Sequence, residues 1–117
     1  MHKIDNCIFC GIINGKIPAK IEYENKNIIV FQDIRSQAPI HLLIIPKTHI
    51  STINDLEIEH KNILGEMILV AKKIAEKKNI SDHGYRLTLN CNEAGGQTVY
   101  HIHLHLLGGR KFKWPPG

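Results

Sequence analysis

The chain has 117 residues, 43% hydrophobic and 22% charged, which suits a single domain over residues 1–117 with a real core and excludes a disordered chain. A formal net charge of +4 leans only weakly toward anionic ligands. The densest basic group (Lys72, Lys73, Lys77 and Lys78) has no interleaved aromatics, so nucleic acid is not an expected partner. The longest apolar run, Met67 to Ala71, is far short of the roughly 20 residues of a membrane helix, so no membrane association is expected.

At the start of the chain, "MHKIDNCIFC" lacks the continuous apolar core of a secretory leader. The expected compartment is therefore the cytosol. Three cysteines there point to thiols or a metal rather than to a disulfide framework. Cys7 and Cys10 have CxxC spacing, which alone is a weak signal, and no thioredoxin-like βαβ pattern surrounds them.

Cys7 to Asn14 reads as a short helical turn ended by Gly15. "IEYE" (Ile21 to Glu24), "IIVFQD" (Ile28 to Asp33) and "HLLIIP" (His41 to Pro46) read as strands. The period then changes. Ile63, Leu64, Met67, Ile68, Ala71, Ile74 and Ala75 mark the core face of a helix over Asn54 to Lys78, with Asn54 as its cap and Glu57 three residues on. "YRLTLN" (Tyr85 to Asn90) alternates as a fourth strand.

"HIHLHLL", from His101, alternates in the same way. A strand puts His101, His103 and His105 on one face, each pair about 6.6 Å apart, with Ile102, Leu104 and Leu106 on the other. A helix would scatter them. The fold class is therefore α+β: a five-stranded antiparallel sheet, one long helix and a short N-terminal helix.

Three aligned imidazoles have three readings. They could be a polar face without a task. They could hold a catalytic zinc with an open position for water. Or one could be a nucleophile toward phosphorus, with one nitrogen free, the other held by an acceptor, and a neighbour to protonate the leaving group. The preceding "AGGQT" suits the third reading. Gly95 and Gly96 let backbone N–H groups approach a phosphate, and Gln97 and Thr98 add an amide and a hydroxyl.

"GGQTVYHIHLHLLGG" (Gly95 to Gly109) resembles the signature of the histidine triad family. "IPAK", "FQDI", "QAPIHLLIIPKTHIS", "GYRLTLN" and "GGRKFKWPPG" resemble its Hint branch, in the same order along almost the whole chain. The resemblance implies hydrolysis of purine nucleoside 5′-phosphoramidates by a homodimer. It casts His103 as the nucleophile that forms a nucleotidyl-histidine, and places His105 near the leaving group. Thr98 stands where the family usually has serine and keeps the hydroxyl. Asp33 would hold the ribose hydroxyls, and Asn90 and Gly96 the ribose-phosphate region. Phe9, Ile12 and Ile34 would line the base pocket. His41 matches a family position near the cluster. In members that carry the cysteines, Cys7, Cys10, His49 and His101 match a closed structural zinc site. Two other activities stay open: hydrolysis of dinucleoside polyphosphates, which the "WPPG" ending disfavours, and nucleotide binding with little turnover.

Overall fold

The computed structural model describes residues 6–117, so the first half of the stretch read as lacking a leader lies outside it. Helix α1 spans Ile8–Ile13 and α2 spans Lys61–Lys77. The strands are β1 (Ile21–Glu24), β2 (Ile28–Gln32), β3 (Ile40–Pro46), β4 (Tyr85–Thr88) and β5 (Leu104–Gly108). They form one antiparallel sheet in the order β1-β2-β3-β5-β4. The α+β expectation holds.

The near-continuous apolar runs of β2 and β3 follow from this order. Both strands are covered on both faces, so neither face keeps a polar row. Ile28, Val30, Leu42, Ile44, Leu104 and Leu106 face α2, where they meet Met67, Val70, Ala71 and Ile74. Ile29, Phe31, Leu43 and Ile45 face the other way and meet Phe9 and Ile12 of α1. The sheet thus has a thick side under the long helix and a thin side under the short one. His41, His103 and His105 share the strand parity of the thin side.

Four local expectations need correction. The long helix starts at Lys61, not Asn54; two 3₁₀ turns, Ile53–Asp55 and Ile58–His60, come first. The cap lies earlier as well, because Thr52 accepts from the Asn54 N–H at 3.1 Å while Asp55 accepts from the Thr52 N–H. A 3₁₀ turn accepts the same capping residues as an α-helix, so the sequence signal did not distinguish them. Ile68, counted on the core face, is 53% exposed, and Val70 is buried instead. Finally, sheet pairing in the histidine segment begins only at Leu104, so His101 and His103 precede the ladder.

α1 is short but firmly placed. The Cys7 sulfur accepts from the Cys10 N–H at 3.4 Å, and the Asn14 N–H closes onto the Cys10 carbonyl. Gly15 follows at φ +78°, a left-handed turn that ends the helix as expected. Phe9 and Ile12 thereby point to the sheet.

Candidate active site and metal centre

The thin side of the sheet holds a cavity of about 410 Å³. Phe9 and Ile12 wall it from α1, Phe31 and Leu43 from the sheet, and Asp33, Ile34 and Arg35 from the loop after β2. Thr98, His103 and His105 complete it. The structure thus brings together seven of the residues expected to handle a nucleotide. Ile34 stands at the mouth with 97% of its surface exposed. Asn90, Gly96 and Gln97 do not line this cavity.

The glycine stretch is used differently from its first reading. The N–H groups of Gly95, Gly96 and Gln97 fold back onto Asn92 and Glu93. Gly96 sits at φ +90°, a conformation that side chains rarely take, with the Asn90 amide beside it. The Gln97 side chain is buried; its oxygen accepts from the Asn92 N–H, and its nitrogen donates to the carbonyls of Ser51 and Val99. Its amide therefore ties the loop to the chain after β3. Thr98 is the residue of this stretch that reaches the cavity.

The histidines were expected to share one strand face; His101 and His103 are buried. Burial makes their hydrogen bonds decisive, since each ring must satisfy its nitrogens inside the protein. His103 Nδ1 lies 2.8 Å from the His101 carbonyl oxygen, which only accepts. The proton of neutral His103 is therefore on Nδ1, and Nε2 keeps its lone pair. His41 has the opposite arrangement: its Nδ1 accepts from the Gln37 N–H at 3.0 Å, so its proton sits on Nε2. That nitrogen is 2.9 Å from His105 Nδ1 and 3.3 Å from Asp33 Oδ2. His105 Nδ1 then accepts, and its own proton is on Nε2. The two cavity histidines end in opposite chemistry, a lone pair on His103 and an N–H on His105.

Electrostatics keep both neutral. Burial pulls His105 down from an ordinary 6.5 to about 4, helped by His103 and His41 and opposed by Asp33. Burial lowers His103 too, against the hydrogen bond to His101 and the Asp33 charge. His41 is lowered for the same reason. The linking role of His41 was not legible beforehand; a donor supplied by the Gln37 N–H, four residues away, defines it.

A second cluster lies beneath α1. One ligand atom from each of Cys7, Cys10, His49 and His101 falls within 4.8 Å of every other. His101 Nδ1 is 3.5 Å from Cys7 Sγ, 3.6 Å from Cys10 Sγ and 3.1 Å from His49 Nδ1; Cys10 Sγ is 3.4 Å from His49 Nδ1. Zinc bonds of about 2.0–2.3 Å in a tetrahedron imply edges of about 3.3–3.8 Å, so the donor set fits that ion. The outer contacts fit as well. His101 Nε2 donates to the Pro46 carbonyl at 2.8 Å, which leaves Nδ1 bare toward the sulfurs, and His49 Nε2 is 3.2 Å from Ser51 Oγ. Phe9 joins the two clusters, its ring edge-on to His101 and to His103 at centroid distances of 6.0 and 5.0 Å.

An antiparallel sheet that presents an imidazole lone pair and an imidazole N–H to one cavity is the arrangement of a hydrolase of the histidine triad kind. Comparison with known proteins agrees. The family described as "Scavenger mRNA decapping enzyme C-term binding" matches residues 6–113. The purine nucleoside phosphoramidase of Escherichia coli is 53% identical over 91% of this chain and 89% of that protein. A crystal structure of a HIT family hydrolase from Legionella pneumophila superposes with a TM-score of 0.94 at 57% identity, covering 96% of this chain and 100% of that one. A zinc-bound histidine triad family protein from Mycobacterium smegmatis gives 0.78 at 36% identity, covering 90% and 76%. The chain belongs to the histidine triad family.

The depressed histidines set a pH dependence. Between pH 6.5 and about 4 the unfolded chain binds protons that folded His105 refuses, so stability is complete above 6.5 and declines as pH falls through that window. A melting series from pH 7.5 to 4 is expected to show this decline. His105→Asn should make it shallower without abolishing it, since burial lowers His101 to about 4 as well, and an equal slope in both proteins would contradict the assignment.

Proposed function

We propose that this hydrolase acts on purine nucleoside 5′-phosphoramidates through a covalent nucleotidyl-histidine. The observation that carries this reading is the opposed protonation of His103 and His105 in one cavity with Asp33. His103 Nε2 attacks the α-phosphorus while its Nδ1–H stays on the His101 carbonyl, which stabilises the charge that develops on the ring. The His105 Nε2–H donates to a phosphoryl oxygen, where negative charge grows. The phosphorus–nitrogen bond breaks with both electrons going to nitrogen. The departing amine takes one proton, relayed by the Thr98 hydroxyl from solvent. Water then attacks phosphorus, His103 leaves, and the proton is returned. Asp33 holds the ribose hydroxyls, and Phe9, Ile12 and Ile34 contact the base. Asn90, Gly96 and Gln97 act indirectly in this single chain, by fixing the loop that carries Thr98. The identity of the Escherichia coli relative supports the substrate class.

We also assign a structural zinc to Cys7, Cys10, His49 and His101. The ion, when bound, supplies cross-linking rather than Lewis acidity, because four protein donors leave no open position. These residues would pin α1 to the segment before β5 and hold Phe9 against the cavity. Free thiols at Cys7, Cys10 and Cys91 suit a reducing compartment such as the cytosol. Among the described residues no helix is long and apolar enough to cross a membrane.

The homodimer implied by the family pattern has surface available for it. β4 is an edge strand, and Ile68, Leu69 and Trp114 expose 53%, 64% and 84% of their surface. Sedimentation is expected to give twice the chain mass, and a monomer at micromolar concentration would remove this part of the proposal.

His103→Ala is expected to bind nucleotide but lose turnover by several powers of ten, since each roughly 1.4 kcal/mol of barrier is tenfold. Single-turnover reaction of the parent followed by intact-protein mass measurement should reveal the nucleotidyl adduct. Near-parental rates in the variant would exclude the covalent route. Cys7→Ala combined with Cys10→Ala should abolish zinc binding and lower the melting temperature, because the binding energy of such a site is folding energy. Activity should fall only partly; parent protein that carries no zinc when purified without chelators, with a double variant that melts like it, would show that the metal is not resident.

A further inference from the structure

Arg35 is the cation on the cavity wall that the proposed chemistry does not use. The turn that carries it is held at three points. The Arg35 N–H donates to Asp33 Oδ1 at 2.8 Å, its carbonyl accepts from Gln37 Nε2 at 2.9 Å, and the next residue, Ser36, donates to the Asp33 carbonyl. Its guanidinium has no carboxylate partner among the described residues. A long cation on a fixed turn, with free donors and no counter-ion, is placed to receive a ligand.

The order of groups around the cavity says which part of a nucleotide it meets. The phosphate end belongs at His103 and His105, and the ribose at Asp33. Beyond Asp33 the rim continues to Ile34 and Arg35, beside the apolar wall where a base would lie. The polar side chains left for the base are Gln32 and Arg35. The Gln32 amide nitrogen already donates to Glu22 at 2.8 Å. Its free carbonyl oxygen suits an N–H of either purine and does not discriminate. Arginine differs, because guanidinium only donates. Guanine presents two adjacent acceptors, O6 and N7, whereas adenine puts an amino donor beside N7.

We propose that Arg35 is a specificity-determining residue that favours guanine over adenine by giving two N–H groups to O6 and N7 of the base. This rests on the nucleoside phosphoramidate reading and deepens it. Nothing in the transfer to phosphorus changes; the selection acts on binding of the base.

The test compares kcat/KM for guanosine and adenosine 5′-phosphoramidates of one amine, in the parent and in Arg35→Ser and Arg35→Lys. The parent is expected to favour guanosine about five-fold, the low end for a bidentate contact because the rim is open to water. The ratio should drop to near one in the serine variant, mainly through KM of the guanosine substrate. Lysine, a point charge without the planar fork, should restore less than half of it. Inosine keeps O6 and N7 and should behave as guanosine. Equal ratios in parent and serine variant, or equal losses on both substrates, overturn the proposal while leaving the hydrolase reading intact. GMP and AMP titrations read the same preference without turnover. Binding of neither nucleotide would overturn both readings together.

Discussion

The His101 carbonyl oxygen fixes the chemical direction of the site. It can only accept, so it places the His103 proton on Nδ1 and leaves Nε2 as a base. Without such a partner, neutral imidazole would divide between two tautomers and only one would present a lone pair to the cavity. The same logic runs in reverse through the Gln37 N–H, which can only donate. It forces His41 to carry its proton on Nε2, and so forces His105 to accept on Nδ1. Two backbone groups of opposite sense thus set two histidines to opposite tasks. Burial supports them by keeping both rings neutral.

Placing those backbone groups is the work of the sheet. β3 lies between β2 and β5, and its parity sends His41 to the thin side with Leu43 and Ile45. Pairing of Leu43 with His105 sets the height at which the two imidazoles meet. The segment before β5 leaves the ladder, which frees the His101 carbonyl for a side chain instead of a neighbouring strand. A fully paired strand would have kept the histidines aligned but would have consumed that acceptor.

Much of this was legible from residue types. Unbroken apolar runs in β2 and β3, strict alternation from His101 onward, and the 3.6-residue period of α2 each mark an element because burial imposes them. Boundaries were less legible. Thr52 and Asn54 are both good caps, and choosing between them depends on how the chain after β3 reaches the helix. Gln97 looked like a ligand-binding amide because its composition is the same whichever way it points. Only the position of Ser51 and Val99 shows that its hydrogen bonds are already made. Arg35 was silent for a related reason: a single exposed arginine carries no pattern, and its place beside Asp33 comes from a turn three residues long.

His101 contributes to two clusters through different parts of itself. Its ring faces the sulfurs, while its peptide oxygen holds His103. A side chain is rewritten by any codon change, but every residue brings the same peptide oxygen. Substitutions in the cysteine–histidine cluster, even at position 101, therefore leave in place the kind of acceptor that holds the proton on the neighbouring imidazole. The cavity histidines and the cysteine–histidine cluster are thus separable within a single residue.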